Sequence, residues 1–381
     1  MKTIHALTKT APLLMLLVLV FASCKKTEQP AKGKTPDVVD ETVWQPFTPL
    51  QFEEKNIIRA HNFGKGIAVG TTKSLVFLSD SLKYKSSYSA GNNANNLAVN
   101  PYMDDRVAIY ASMQQRTILN IYPLDNPVAN YSFDLKTIDP QLSGIYTSRE
   151  LPICINKAGK MLVVCTKDSM VGNTLYPSGY MHMLFFDMKL NNGVLSPQFD
   201  KKVVYIKDTS LLNVKNWPPV ISINTDGDNF YVALSGQYYE NLKVSTNGDV
   251  SSAFPLNITY FIPTKDTIQI LGFNNRFELN WGYMLNSFSS GYNISNLGWY
   301  NGGWMRFTAI DNRIIGYQGH QMFLFVIDRG TGKYSIRELE NKGIELYTQI
   351  NSIVQIGDKV MVATINGAYT KKLKHFFDFK K

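Results

Sequence analysis

Three glutamates in polar loop segments, Glu150, Glu240 and Glu278, are the side chains best suited to chemistry. Two carboxylates facing each other across a sugar ring can act as acid and base in glycoside cleavage. Their separation in space cannot be read from their separation in sequence. The histidines of the body, His61, His182, His320 and His375, are scattered and do not recur at matching positions, as a ring of metal ligands would require. Asp226-Gly227-Asp228-Asn229 and Asp104-Asp105 offer too few oxygen ligands for calcium and suit hairpin turns. A Gly-x-Ser-x-Gly elbow, a phosphate-cradling glycine loop and a Cys-x-x-Cys pair are all missing. No catalytic residue, metal or cofactor is therefore expected, and a glycan-active hydrolase or lyase stands as the alternative.

A different chemistry is concentrated in the loops. Arg149, Tyr238, Tyr239, Arg276, Trp281, Trp299 and Trp304 lie in segments rich in Asn, Gln and Gly. Aromatic rings on loops give flat apolar area with little entropy to lose, and nearby Asn, Gln and Arg add directional hydrogen bonds. Such a surface suits a glycan or a protein segment. Packing of these rings against one another is the plainer reading for any one of them.

The elements that position these loops are strands. From Trp304 to Leu339 the chain reads as four short strands: Met305–Ile310, Arg313–Gln318, Met322–Asp328 and Lys333–Leu339. Asp311-Asn312, Gly319-His320-Gln321 and Arg329-Gly330-Thr331-Gly332 provide the turns. A lone meander cannot bury both its faces, so further copies are expected. Seven inner hairpins recur: Ile57–Thr71, Leu97–Ala111, Pro152–Thr166, Val220–Ser235, Ile258–Phe273, Met305–Gln318 and Ile350–Ile365. Intervals of about 40 to 70 residues match propeller blades, with insertions where the interval is long. Helical periodicity is nearly absent.

The expected fold is all-β, a seven-bladed β-propeller of four-stranded antiparallel blades over residues 44–381. Asp328-Arg329-Gly330-Thr331-Gly332-Lys333 resembles the Asp-x-x-Thr-Gly-Lys turn of quinoprotein-like propellers, a cue to fold that implies no quinone. The sialidase-type Asp-box is missing, because Gly227 comes one place too early. On the usual propeller plan, connections between blades and loops after each second strand share one face, the mouth. Four of the five tryptophans, Trp217, Trp281, Trp299 and Trp304, then fall there, as do all three glutamates. Closure of the ring is expected from Trp44–Phe52 pairing near His375–Phe379, which would remove an open edge.

The N-terminus carries an address. Lys2 and Lys9 flank a run at Leu13–Val20 that is too short to span a bilayer, followed by Phe21-Ala22-Ser23-Cys24. This resembles a bacterial lipoprotein signal over 1–23, which implies cleavage before Cys24, acylation there with chains such as palmitate, and anchoring to the outer membrane of the cell envelope. An ordinary secretory signal is the alternative. Residues 24–43 lack periodicity and read as a disordered tether. The layout is similar to propeller lipoproteins of the Bacteroidota, in which acidic residues after the cysteine favour the cell surface. Lys25-Lys26-Thr27-Glu28 has one, so periplasmic and surface leaflets both stay open.

Loss of Lys2 and Lys9 would lower the formal net charge of +9 by two, and much of the rest sits at the chain ends. That suits a membrane surface better than nucleic acid, which is not expected as a partner. Beyond Cys24 the chain has only Cys154 and Cys165. A two-residue turn at Ala158-Gly159 would set Cys154 opposite Val163, diagonal to Cys165 on one face and too distant to bridge. Two buried free thiols are expected, with a bridge formed in an oxidising envelope as the alternative.

Overall fold

The computed structural model describes residues 40–47, 56–62, 66–89, 98–99, 109–114, 117–123, 131–144, 153–171, 174–192, 194–205, 220–225, 227–234, 240–252, 258–263, 268–273, 279–284, 288–294, 305–327, 334–345 and 348–380. Two compact units divide the chain, Met1–Asp40 and Glu41–Lys381. All that follows concerns the second.

Strand β1 (Gln45–Phe47) comes first in the chain. The first sheet then holds β2 (Ile57–Asn62), β3 (Gly66–Thr71), β4 (Ser74–Ser79) and β5 (Tyr84–Ser89). The second holds β6 (Ala98–Val99), β7 (Ile109–Gln114), β8 (Ile118–Pro123) and β9 (Tyr131–Asp134). After the helical turn α1 (Leu135–Ile138), the third holds β10 (Leu142–Gly144), β11 (Ile153–Ile155), β12 (Lys160–Val171), β13 (Thr174–Asn191) and β14 (Val194–Tyr205). The fourth is β15 (Val220–Thr225), β16 (Phe230–Leu234), β17 (Glu240–Val244) and β18 (Val250–Ser252). The fifth is β19 (Ile258–Pro263), β20 (Ile268–Phe273), β21 (Leu279–Met284) and β22 (Phe288–Ile294). The sixth is β23 (Arg306–Ile310), β24 (Arg313–Gln318), β25 (Gln321–Ile327) and β26 (Tyr334–Glu338). The seventh joins β27 (Ile350–Ile356), β28 (Lys359–Thr364) and β29 (Gly367–Lys372) to β1, and α2 (Leu373–Phe376) follows.

These are antiparallel meanders, and the fold is a β-propeller of four-stranded blades. Each expected inner hairpin is present as the first ladder of a sheet, for example Ile57 opposite Thr71, Ile258 opposite Phe273 and Arg306 opposite Tyr317. Asp311 and Asn312 adopt φ of 49° and 60°, the backbone that a two-residue hairpin turn demands.

The expectation of seven blades is corrected. Although the ladders fall into seven sheets, the blade count is five. Two sheets depart furthest from the repeat. In the second, the innermost strand is two residues long; in the third, β10 and β11 both pair with β12, while β13 runs to 18 residues.

Innermost strands pack in sequence, β6 on β11, then β15, β19, β23 and β27, and β27 packs on β2. Between the sheets lie separate apolar layers. Leu162, Met183 and Phe185 of the third sheet meet Phe230, Val232 and Leu242 of the fourth; Ile353, Val360 and Val362 of the seventh meet Ile315 and Leu324 of the sixth. Residues alternate between two such layers where the described sheets are buried on both faces, as in the first, third and seventh, which explains their near-continuous apolar second strands.

Closure uses β1, as expected, but the partner is corrected. Gln45, Pro46 and Phe47 pair with Thr370, Tyr369 and Ala368 of β29, whereas His375–Phe379 packs elsewhere. Pro46 is tolerated because β1 is an edge. Trp44 is 1% exposed, its backbone N–H donates to Lys342 O at 3.0 Å and its indole Nε1 to Glu340 O at 3.3 Å. Beyond α2 the chain crosses to the sixth sheet. Phe379 bridges to Leu339 and lies under Arg337 at 3.3 Å, and Phe377 lies under Arg313 at 4.2 Å. The seam is thus fastened from both ends of the chain.

Cys154 and Cys165 are free, but their geometry differs from that expected. Cys154 faces Leu162, one residue from the expected register, which turns it to the opposite face of the sheet from Cys165. Cys165 belongs to the apolar layer with Met161 and Val163, Cys154 to that with Leu162 and Val164. Cys165 is buried and Cys154 only partly so.

Candidate functional site: the link end

In a meander the start of strand one, the end of strand two and the start of strand three share one end, called here the link end; the turns between strands one and two mark the turn end. The link end is uneven. In the first, sixth and seventh sheets the second and third strands are joined by two-residue turns. Thr71 and Thr364, both fully buried, close two of these: Thr71 Oγ1 accepts from Lys73 N and Ser74 N at 3.2 and 2.9 Å, and Thr364 Oγ1 accepts from Asn366 N at 3.0 Å. A short side-chain hydroxyl there satisfies the turn amides and leaves nothing standing above the sheet.

Adjacent inner strands in this flat sector are stitched together. Arg306 Nη1 and Tyr317 Oη donate to Asn351 O at 2.9 and 3.4 Å, and Asn351 Nδ2 donates to Ile57 O at 2.7 Å. Ala60 N donates to Ser352 Oγ at 2.7 Å. The register slips between Ile57 and Arg59 in β2, between Val220 and Ser222 in β15 and between Ile350 and Ser352 in β27. Such bulges re-aim side chains at the rim of a closed sheet.

The third sheet rises above this level. Strands β12 and β13 continue past the blade as a two-stranded arm, with Asp168 opposite Pro177 and Val171 opposite Thr174. Tyr176 to Tyr180 belong to this strand. Between β10 and β11, which share the innermost position, run residues 145–152. Residues 235–239 and 274–278, which lie outside the described residues, separate the pairs Leu234–Glu240 and Phe273–Leu279.

The candidate ligand residues all map to this sector by connectivity. Arg149 falls between β10 and β11, Tyr238 and Tyr239 in 235–239, Arg276 in 274–278, and Trp299 and Trp304 in the link from β22 to β23. All six lie outside the described residues, as do Cys24, Glu150, Trp217 and Glu278. Two placements are corrected. Trp281 is on strand β21, opposite Leu271 and Tyr292 and two residues in from the loop; Glu240 is the first residue of β17, opposite Leu234. Both loops are shorter than expected because Glu240-Asn241 and Leu279-Asn280 join ladders despite their polar members.

At the base of the arm, His182 stands opposite Cys165 and is 4% exposed. Burial raises the Cys165 thiol well above its ordinary value and pushes the Cys154 thiol up to about 12, so neither is a ready nucleophile. Among the described residues no three metal-binding side chains gather, and no helix is long and apolar enough to cross a membrane.

At the turn end, charges pair. Lys160 Nζ reaches Asp187 at 2.6 Å and Asp200 at 2.7 Å. Burial works against the Lys160 ammonium, but the two carboxylates outweigh it and raise its pKa; Lys160 in turn lowers that of Asp200. Glu41 pairs with Lys372 and with Lys374, the latter at 2.9 Å. The Lys372 hydrogen bond, then that of Lys374, holds the Glu41 carboxyl down to about 2.

No protein-family model matches the chain, and no curated protein matches it by sequence. Solved structures are similar in fold. A catalytically inactive virginiamycin B lyase from Staphylococcus aureus, crystallised with quinupristin, superposes with a TM-score of 0.50 at 9% identity, covering 86% of this chain and 97% of that one. The β-propeller domain of the Trilobed protease from Pyrococcus furiosus, described as having an open velcro topology, gives 0.48 at 8% identity over 86% and 97%. The WD40 repeats of RRP9 give 0.48 at 8% over 86% and 99%. At these identities the likeness is one of fold: this chain has the β-propeller architecture.

Proposed function

We propose that this protein is an exported lipoprotein, acylated at Cys24, whose propeller is a binding module for a glycan or a protein partner. The ligand is taken at the link end, with Arg149, Tyr238, Tyr239, Arg276, Trp281, Trp299 and Trp304 contributing. One observation carries the reading. Short turns and side-chain bonds close the link end over the sixth, seventh and first sheets, whereas by chain position the candidate residues belong to the third to fifth sheets and the link from β22 to β23, and β12 and β13 of the third sheet continue past the blade as an arm. Loops are where propellers place recognition. Residues 1–23 serve as the signal and 24–43 as the tether, which supports an address in the cell envelope.

Glycan arrays and pull-downs with the purified protein test the reading. Binding without turnover that is lost in Trp299→Ala and Trp281→Ala is the expected result. Reducing sugar released by the wild type and abolished by Glu240→Gln would replace the binding module with a glycan hydrolase.

A further inference from the structure

We propose that the ligand is an acidic glycan, and that Arg306, at the link end between the sixth and seventh sheets, takes the carboxylate of one of its uronic acid units. This names the ligand class of the binding reading above and rests on it. Arg306 opens β23 directly opposite Tyr317, so the two side chains share one face of the sixth sheet, the face packed on the seventh. Both donate to one acceptor there, Asn351 O, from Nη1 at 2.9 Å and from Oη at 3.4 Å. Asn351 is fixed in turn by its own amide, which donates to Ile57 O at 2.7 Å. The guanidinium is therefore half-buried and aimed, with Nη1 engaged by a neutral carbonyl.

What it lacks is a counter-charge. Among the described residues no carboxylate pairs with Arg306 and no aromatic ring covers it. The other described arginines of the sixth sheet have such partners: Arg313 lies on Phe377 at 4.2 Å with Asp311 at 4.0 Å, and Arg337 lies on Phe379 at 3.3 Å. A partly desolvated guanidinium is costly until an anion meets it, and its planar fork matches a carboxylate through two parallel N–H···O bonds. Nε and Nη2 remain for those bonds.

The neighbouring side chains favour a sugar over an acidic peptide. Gln318, next to Tyr317, and Gln349, two residues before Asn351, stand at the same end of the same two sheets and make no side-chain hydrogen bond among the described residues. Carboxamides donate and accept at once, as sugar hydroxyls do. A uronate unit brings one carboxylate fixed to a ring of hydroxyls, whereas an acidic peptide brings a run of carboxylates that one guanidinium would leave unmatched. In the sequence Trp304 precedes Arg306 by two residues, which joins this contact to the candidate set.

Glycan arrays on the purified full-length protein test the proposal. The probes are neutral glycans, uronate-containing glycans, the same acidic glycans after reduction of their carboxylates to primary alcohols, and polyglutamate. Binding to the acidic glycans that is lost on carboxyl reduction and falls about tenfold or more in Arg306→Gln is the expected outcome. Arg306→Lys, which keeps the charge and a donor for Asn351 O without the fork, should weaken the same binding, and it serves if Arg306→Gln fails to fold. Lys359→Gln removes an equal charge from an exposed turn-end position and should leave binding unchanged. Equal binding of intact and reduced glycans, a preference for neutral glycans or for polyglutamate, or acidic-glycan binding that neither Arg306 variant weakens overturns the proposal and leaves the binding module standing. Binding to none of the probes overturns the proposal, and if the pull-downs are also empty, the binding module falls with it.

Discussion

Trp44 meets Phe376 edge to face, with ring centroids 6.0 Å apart and planes at 89°. A residue that precedes every sheet is thereby packed against a residue that follows all of them. Lys371, 3% exposed, places its Nζ 5.8 Å from the same indole. The corner where the propeller closes is an apolar and cationic cluster as well as a ladder of backbone bonds.

Trp44→Ala should therefore cost about 3–5 kcal/mol, the range for deleting a large buried aromatic. Urea or thermal unfolding followed by circular dichroism measures it. A loss under about 1 kcal/mol would show that the seam contributes little to global stability.

Gly343 is a sharper probe of the same corner. Its φ is 102°, and an added Cβ would press on the Trp44 carbonyl oxygen, on Val43 and on the Trp44 nitrogen. Backbone cannot yield as a side-chain tip can. Gly343→Ala is expected to destabilise by about 2 kcal/mol or more, from strain and overpacking together. Gly357→Ala, with a positive φ but open space around it, should cost less in the same assay.

Acid should loosen the ionic latch. Because Glu41 is held near 2 in the folded protein against an ordinary 4.5, its contribution is full above 4.5 and fades as the pH falls toward 2. Glu41→Gln should be less stable than the wild type at neutral pH, with the difference narrowing below 4.5 and vanishing near 2. Paired unfolding curves across that window give the answer; a difference that persists at the acid end would contradict it.

The two thiols should never bridge. Protein prepared without reductant should show Cys154 and Cys165 unreactive toward iodoacetamide while folded and both alkylated once unfolded, by mass spectrometry. An oxidised pair in native protein would contradict their placement on opposite faces of the third sheet.

Asn351 tests the stitching of the flat sector. Its amide bonds Ile57 O while its own carbonyl accepts from Arg306, so Asn351→Ala breaks one bond and leaves the other. A loss of about 1 kcal/mol is expected, with no effect on ligand affinity.

Hairpin register was readable wherever an Asx or Gly dipeptide forms a two-residue turn, as at Asp311-Asn312. The exception at Cys154 has a clear cause. Asn156 N donates to Lys160 O at 2.8 Å, its side chain accepts from Lys160 N at 2.8 Å, and Gly159 has a φ of 78°. The loop there is three residues long, and one extra residue moves every side chain of β11 to the other face.

Less of the site was readable. Pro177 and Gly179 punctuate Tyr176–Tyr180 as a loop would, yet β13 runs straight through them, paired with β12 as far as Val171 and Thr174. The candidate set followed from residue types, whereas the extension of β12 and β13 past the blade depends on strand lengths that composition does not encode. Blade number was not readable from the hairpins, which repeat seven times while the blade count is five.

Strand β1 is three residues long and joins the ring through non-covalent bonds alone. The segment that seals one molecule has the right sequence to seal its neighbour, so two copies crowded on a surface could trade plugs, each ring regaining every bond it gave up. Molecules that have lost the segment would instead show a bare β29 edge, the surface along which unpaired sheets grow into one another.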